Sequence, residues 1–179
     1  MAISLDSLDE AFRVKVEALL ESCLKDGVVM RPYFGLRKPE EQARLWRQSR
    51  AIEEIQAAEQ RLRQSGAPFL ADVLVSVGPQ HGPHVTNALP GLSWHQWGEA
   101  VDCFWALNGQ AEWSPTKIVD GINGYRFYAN RAKNMGLEAG GLWPSFKDWP
   151  HVQLRAAGSP VSAGMSMAEI DTQMKQRFG

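Results

Sequence analysis

Residues 100–107 read Ala-Val-Asp-Cys-Phe-Trp-Ala-Leu, and Asn108-Gly109 follows before a second apolar run at about 111–113. This stretch decides the fold. Eight residues of small, branched and aromatic type, bounded by a turn signal, read as a buried strand. Asn-Gly supplies the two positive-φ positions of a tight hairpin, so a partner strand is expected immediately after it. Asp102 does not belong in such a strand. A carboxylate among apolar neighbours is costly to bury unless it is paired or bound to metal.

Outward from the hairpin, Leu5, Leu8, Phe12, Val16, Leu19, Leu20, Cys23 and Leu24 recur at helical spacing. They predict a first helix capped by Asp6 or Ser7 and ended by Gly27. Residues 28–34 read as a strand closed by Gly35. Pro39, Glu40 and Glu41 suit a helix start, and residues 39–66 read as one long helix. A short helix is expected over 67–76, a loop over 77–92 and a helix over 121–135. An irregular segment over 137–150, a last strand over 151–154 and a terminal helix over 166–177 capped by Ser166 complete the chain. Helices packed on a small, mostly antiparallel sheet make the fold class α+β. The 179 residues suit a single domain, 1–179, with no second full domain expected.

Composition is that of a globular chain, with 44% hydrophobic and 22% charged residues. A formal net charge of −1 argues against a nucleic-acid partner or an anionic membrane held by bulk electrostatics. A nucleic-acid surface built from Trp46 with Arg44, Arg47 and Arg50 is disfavoured on the same ground. Cys23 and Cys103 are expected as buried free thiols, a disulfide remaining open. The first twenty residues lack the basic start, apolar run and cleavage site of a signal peptide, and no segment reaches the length of a membrane span. Synthesis in the cytoplasm without stable membrane insertion is the expectation.

The chain has four histidines. His95 lies in Ser93-Trp94-His95-Gln96-Trp97-Gly98-Glu99-Ala100-Val101-Asp102, and His151 closes Asp148-Trp149-Pro150-His151. A catalytic zinc needs about three His, Asp or Glu ligands and an open position. Gly98 allows a tight turn between His95 and Asp102. From the residues alone, that pair fits either metal ligands or a hydrogen-bonded His–Asp pair in the core. His81 and His84 fall in the loop, as substrate contacts or as surface residues.

The string S-x-H-x-x-G-x-A-x-D resembles the signature of the zinc D-Ala-D-Ala carboxypeptidase / L-Ala-D-Glu endopeptidase family, which includes vancomycin-resistance peptidases and phage endolysins. Val85-Thr86-Asn87-Ala88-Leu89-Pro90-Gly91 is similar to that family's lead-in. Gly35-Leu36-Arg37-Lys38-Pro39-Glu40-Glu41-Gln42 is similar to its G-Y-R-S-x-x-x-Q block. Gly136-Leu137-Glu138-Ala139-Gly140-Gly141-Leu142-Trp143, continuing to His151, resembles the endolysin-type branch. The blocks span residues about 28–154. Leu36 and Leu142 depart from the family's usual Tyr and Asp.

The resemblance implies a hedgehog/D,D-peptidase-like fold and one Zn²⁺ per chain held by His95, Asp102 and His151. It implies Asp148 as catalytic base and Arg37 as the cation for an oxyanion or substrate carboxylate. Ser93, Gln42, Trp97 and Trp149 are expected around the metal or the substrate, Ser93 being a plain turn serine on the alternative reading. Trp94 and Trp143 are expected with Trp97 and Trp149 along a groove, and Trp46, Trp105 and Trp113 in core or sheet-face packing. The implied activity is hydrolysis of the L-alanyl-D-glutamate bond of peptidoglycan by a monomeric phage or prophage endolysin. Such an enzyme is released from the host cytoplasm with the help of a holin and acts on the periplasmic wall. The competing readings are a D-alanyl-D-alanine carboxypeptidase and a catalytically silent zinc-containing binding module, which Asp148 would distinguish.

Overall fold

A computed structural model describes residues 3–179. Six helices and five strands follow one another as α1 (Glu10–Lys25), β1 (Met30–Phe34), α2 (Pro39–Arg47), α3 (Ile52–Gln64), α4 (Pro68–Ser76), β2 (Ala100–Leu107), β3 (Gln110–Glu112), α5 (Gly124–Asn134), β4 (Glu138–Ala139), β5 (His151–Gln153) and α6 (Met167–Phe178). The expected α+β class is what forms. The chain divides into two compact units. One comprises the residues up to Leu36 with Trp97–Ala156, the other Arg37–Gln96 with Ala157–Gly179.

In the first unit, every strand pairs antiparallel and β2 is the centre. Trp105 faces both Met30 of β1 and Glu112 of β3, and Asp102 faces both Phe34 of β1 and His151 of β5. β1 therefore covers one edge of β2, while β5 and β3 share the other. The hairpin turn forms as expected, with Asn108 at φ 50° and Gly109 at φ 78°. Val101, Cys103 and Trp105 enter a core with Phe12, Val16 and Leu19 of α1 and Tyr125, Tyr128 and Ala129 of α5. Both cysteines are buried and free. Burial pushes their thiols up, to about 11 for Cys23 and about 12 for Cys103.

Two expectations about helices are corrected. The first helix is capped by Asp9, whose carboxylate accepts from the Phe12 amide at 3.1 Å, and not by Asp6 or Ser7. The Asp9 amide itself bonds the Gly98 carbonyl at 2.9 Å, which holds the helix start against the chain beyond His95. The expected single helix over 39–66 is two helices. Ser49, at φ 62°, breaks it without Gly or Pro. Arg47 Nη1 donates to the Leu74 carbonyl at 2.9 Å, and the Arg50 guanidinium lies 4.0 Å over the Trp46 ring. These tertiary contacts override a locally continuous helical pattern.

The second unit packs Ala43, Trp46, Ala58, Leu62, Leu70, Leu74, Ile170 and Met174 in its interior. The start of α4 has no cap of its own. Buried Asp171 of α6 supplies it, accepting from the Leu70 amide at 2.8 Å. No helix among the described residues is long and apolar enough to cross a membrane.

Candidate metal centre

Strand pairing brings Asp102 and His151 face to face. His95, seven residues before Asp102, arrives from a short 3-10 turn, Trp94–Trp97. Between them Gly98 adopts φ 73°, and a Cβ there would meet the Asp9 amide nitrogen at 2.9 Å, so the tight turn requires glycine. One ligand atom from each of His95, Asp102 and His151 lies within 4.8 Å of the others. All three are buried, at 3%, 9% and 7% relative exposure. Among the described residues it is the only cluster of three or more His, Cys, Asp or Glu side chains so arranged.

This donor set suits a divalent ion. Two imidazoles and a carboxylate are the ligand types of a catalytic zinc with an open position, and tetrahedral ligand atoms lie roughly 3.3 Å apart. The observed spacing is within a small closure of that value. A buried, acceptor-only carboxylate beside two imidazoles is otherwise expensive, which is the cost noted for Asp102 in the sequence.

His151 is fixed at both ring nitrogens. Nδ1 lies 3.1 Å from Asp102 Oδ1 and Nε2 lies 2.9 Å from Gln153 Oε1. Gln153 Nε2 donates to the Arg155 carbonyl at 2.6 Å, so its oxygen faces the imidazole and Nε2 carries a hydrogen. Burial disfavours a charged His151, yet the Asp102 hydrogen bond and charge, the Asp148 carboxylate and Gln153 outweigh it and raise the imidazole pKa. A metal ion there competes with that proton. The Trp143 ring packs on the imidazole at 5.2 Å between centroids. β5 is tied to the start of β2 by Arg155, which grips Glu99 through Nε at 2.6 Å and Nη2 at 2.8 Å.

Asp148 sits beside the same histidine. Its amide bonds the Gly140 carbonyl at 3.1 Å, and its carbonyl accepts from the His151 amide at 3.2 Å. Gly140 is required by proximity. A Cβ there would stand 2.4 Å from the Asp148 carbonyl oxygen and 3.1 Å from His151 Cβ.

Arg37 belongs to a second network. Its amide bonds the His95 carbonyl at 3.1 Å, and its Nη1 donates to Gln42 Oε1 at 2.9 Å. Gln42 also accepts from Gln96 Nε2 at 3.1 Å and donates to the Ala88 carbonyl at 2.7 Å. Gln96 Oε1 in turn accepts from the Gly91 amide at 3.0 Å and the Ser93 amide at 3.3 Å. Ser93 Oγ accepts from the His95 amide at 3.4 Å. Gln42 and Gln96 are both fully buried. Gln96 and Gln153 were not singled out from the sequence. A buried glutamine between two tryptophans, and another on an apolar strand, were the only signals.

Among the tryptophans, Trp94 departs from expectation, while Trp46, Trp105 and Trp113 follow it. Trp94 is buried and its Nε1 donates to the Ala157 carbonyl at 2.6 Å, so it anchors the turn and lines no groove. Trp149 is half-buried against the first unit's core and covers Gly141, where a Cβ would meet its ring at 2.4 Å. Trp97 and Trp143 are half-buried. Trp46 and Trp105 are core residues, and Trp113 lies on the sheet face. Arg47 is buried beside Trp46, whereas Arg44 is exposed. His81 and His84 lie outside the three-residue cluster. His84 Nε2 bonds Asn87 Oδ1 at 3.0 Å, and His81 lines an open cavity of about 430 Å³ with Arg47, Ser49 and Arg50.

Residues 6–139 match the family described as VanY, D-alanyl-D-alanine carboxypeptidase. The match includes His95 and Asp102 and stops short of His151. No curated protein matches the chain. Solved structures similar to the chain include two peptidases. One is the Serratia marcescens L-Ala D-Glu endopeptidase ChiX, at 19% identity and a TM-score of 0.48, covering 84% of this chain and 83% of that one. The other is the vancomycin-resistance D,D-pentapeptidase VanY of a VanB-type resistance cassette, a mutant in complex with Zn(II). It has 17% identity and a TM-score of 0.47, covering 91% of this chain and 83% of that one.

Proposed function

The chain belongs to the VanY D-alanyl-D-alanine carboxypeptidase family, whose members are zinc-dependent peptidases of peptidoglycan, and we propose that it hydrolyses the L-alanyl-D-glutamate bond of the stem peptide. The observation that carries this reading is the buried convergence of His95, Asp102 and His151, with Asp148 hydrogen-bonded by its backbone to the last of them.

In this reading His95, Asp102 and His151 hold one zinc ion. The Gln153 contact to Nε2 leaves His151 Nδ1 as its ligand atom. When bound, zinc supplies Lewis acidity that makes a water acidic near pH ~7 and polarises a scissile carbonyl. Asp148 takes the proton of the attacking water and returns it to the departing amine, so the proton count balances. Arg37, held by Gln42, offers a planar cation to the developing oxyanion or to a substrate carboxylate.

The choice of bond is supported by the likeness of the Gly136–His151 string to the endolysin-type branch. The same likeness supports a role as a phage or prophage endolysin that depends on a holin. The second reading, removal of terminal D-alanine, is favoured by the description of the matched family. Mass spectrometry of peptidoglycan digested by the zinc-loaded protein separates them. New N-terminal glutamate is expected. Free D-alanine without it would replace the first reading by the second.

A further inference from the structure

The face of the sheet that carries Asp102 and His151 continues into a feature that hydrolysis does not use. Side chains alternate along β2, so Val101, Cys103 and Trp105 enter the core while Asp102 and Phe104 share the opposite face. Tyr33 of β1 and Trp113, just past β3, join Phe104 there. Ring centroids are 6.3 Å apart for Tyr33–Phe104, 5.8 Å for Phe104–Trp113 and 5.2 Å for Tyr33–Trp113, the last pair edge to face. None of the three belongs to the core cluster. Trp113 is 54% exposed, and Tyr33 and Phe104 are half-buried. At the other end of the patch, Phe104 stands two residues along β2 from Asp102, on the same face of the strand. The patch thus begins beside the cleavage residues and ends in solvent.

We propose that Tyr33, Phe104 and Trp113 form a platform that stacks an N-acetylated sugar ring of the glycan strand next to the peptide being cut. The proposal rests on the peptidoglycan reading above. An aromatic patch continuous with the cleavage face meets whatever adjoins the scissile bond. In peptidoglycan L-alanine is joined through a lactyl ether to the sugar, so the L-alanyl-D-glutamate bond lies one residue from a pyranose ring. The terminal D-alanine bond lies at the far end of the stem. The C–H face of a pyranose complements the electron-rich faces of indole and phenol, and its hydroxyls remain in water at the exposed edge. An exposed tryptophan held by two other rings is a rigid anchor for such a ligand, with little rotamer entropy left to lose.

The test is a titration of the zinc-loaded protein with the peptide-free disaccharide of N-acetylglucosamine and N-acetylmuramic acid, followed by the indole N–H resonances. The resonance missing from Trp113→Ala is expected to shift saturably, and its failure to move would overturn the platform. In parallel, kcat/KM is compared for a disaccharide-bearing stem peptide and the same peptide without sugar. The wild type is expected to prefer the sugar-bearing substrate by about tenfold, Trp113→Phe to keep part of that preference and Trp113→Ala to lose it. Equal preference in wild type and Trp113→Ala would also overturn the proposal. Release of D-alanine in place of new N-terminal glutamate would instead remove the bond assignment, and the disaccharide titration would still decide the platform.

Discussion

Gln42 and Gln96 share a 3.1 Å hydrogen bond in the interior, and the Gln42 oxygen that makes it also receives Arg37 Nη1 at 2.9 Å. One carbonyl oxygen thereby joins the proposed substrate cation to the turn that carries His95. Gln42→Leu leaves the Gln96 amide, the Ala88 carbonyl and the Arg37 guanidinium each short of a partner. It is expected to cost about 2–4 kcal/mol in urea unfolding and roughly tenfold in kcat/KM. A variant as stable and active as the wild type would show that the network positions nothing.

On the proposed reading, Asp148 carries the difference between an enzyme and a silent metal module. Asp148→Asn keeps the side chain's size and removes the base. The variant is expected to bind zinc with unchanged stoichiometry while hydrolysis falls about 10²–10⁴-fold. Activity on purified peptidoglycan, measured beside metal content on the same sample, checks this. Full residual activity would remove Asp148 from the mechanism.

Gly140 allows the segment before β5 to close on His151. Gly140→Ala would place a methyl group 2.4 Å from the Asp148 carbonyl oxygen, a backbone atom that no rotamer change can move. Destabilisation of about 1–3 kcal/mol is expected, with activity falling further than stability alone explains. Thermal unfolding and kcat on the same preparation separate the two effects.

Cys23 reports on the first unit's core. Its folded thiol pKa is raised from 9.0 to about 11, so the folded state keeps a proton that the unfolded state gives up first. The stability it contributes is complete below pH about 9 and is lost as pH rises toward about 11. At pH 8 the thiol is expected to resist a thiol reagent in the native protein and to react readily in denaturant. Fast native labelling would contradict the packing of α1.

Much of the fold was legible because its signals are local. Asn108-Gly109 fixed the hairpin, Ser166 capped the last helix, and Asp102 marked the site by being charged in an apolar strand. The break at Ser49 was not legible. Residues 39–66 favour a helix throughout, and what interrupts them is Arg47 reaching the carbonyls of α4. Asp9 displaced Asp6 and Ser7 as the first cap because its amide is held by the Gly98 carbonyl, a contact across the chain. The same holds at the candidate site. His95, Asp102, His151 and Asp148 stand in recognisable strings, whereas the work of Gln96 and Gln153 depends on partners brought together by folding. Trp94 looked like a groove residue from its place in the motif, and only its bond to Ala157 shows that it is an anchor.

The central claim is that His95, Asp102 and His151 hold one zinc ion, and metal analysis tests it most directly. The purified protein is expected to carry one zinc per chain, to lose it with its activity on chelation, and to regain both on re-addition. Thermal stability should rise with free zinc, by about 2.7 kcal/mol at a hundredfold excess over Kd. Asp102→Ala and His151→Ala should carry almost none. A wild-type protein that takes up no divalent metal, or single-ligand variants that retain it fully, would contradict the account.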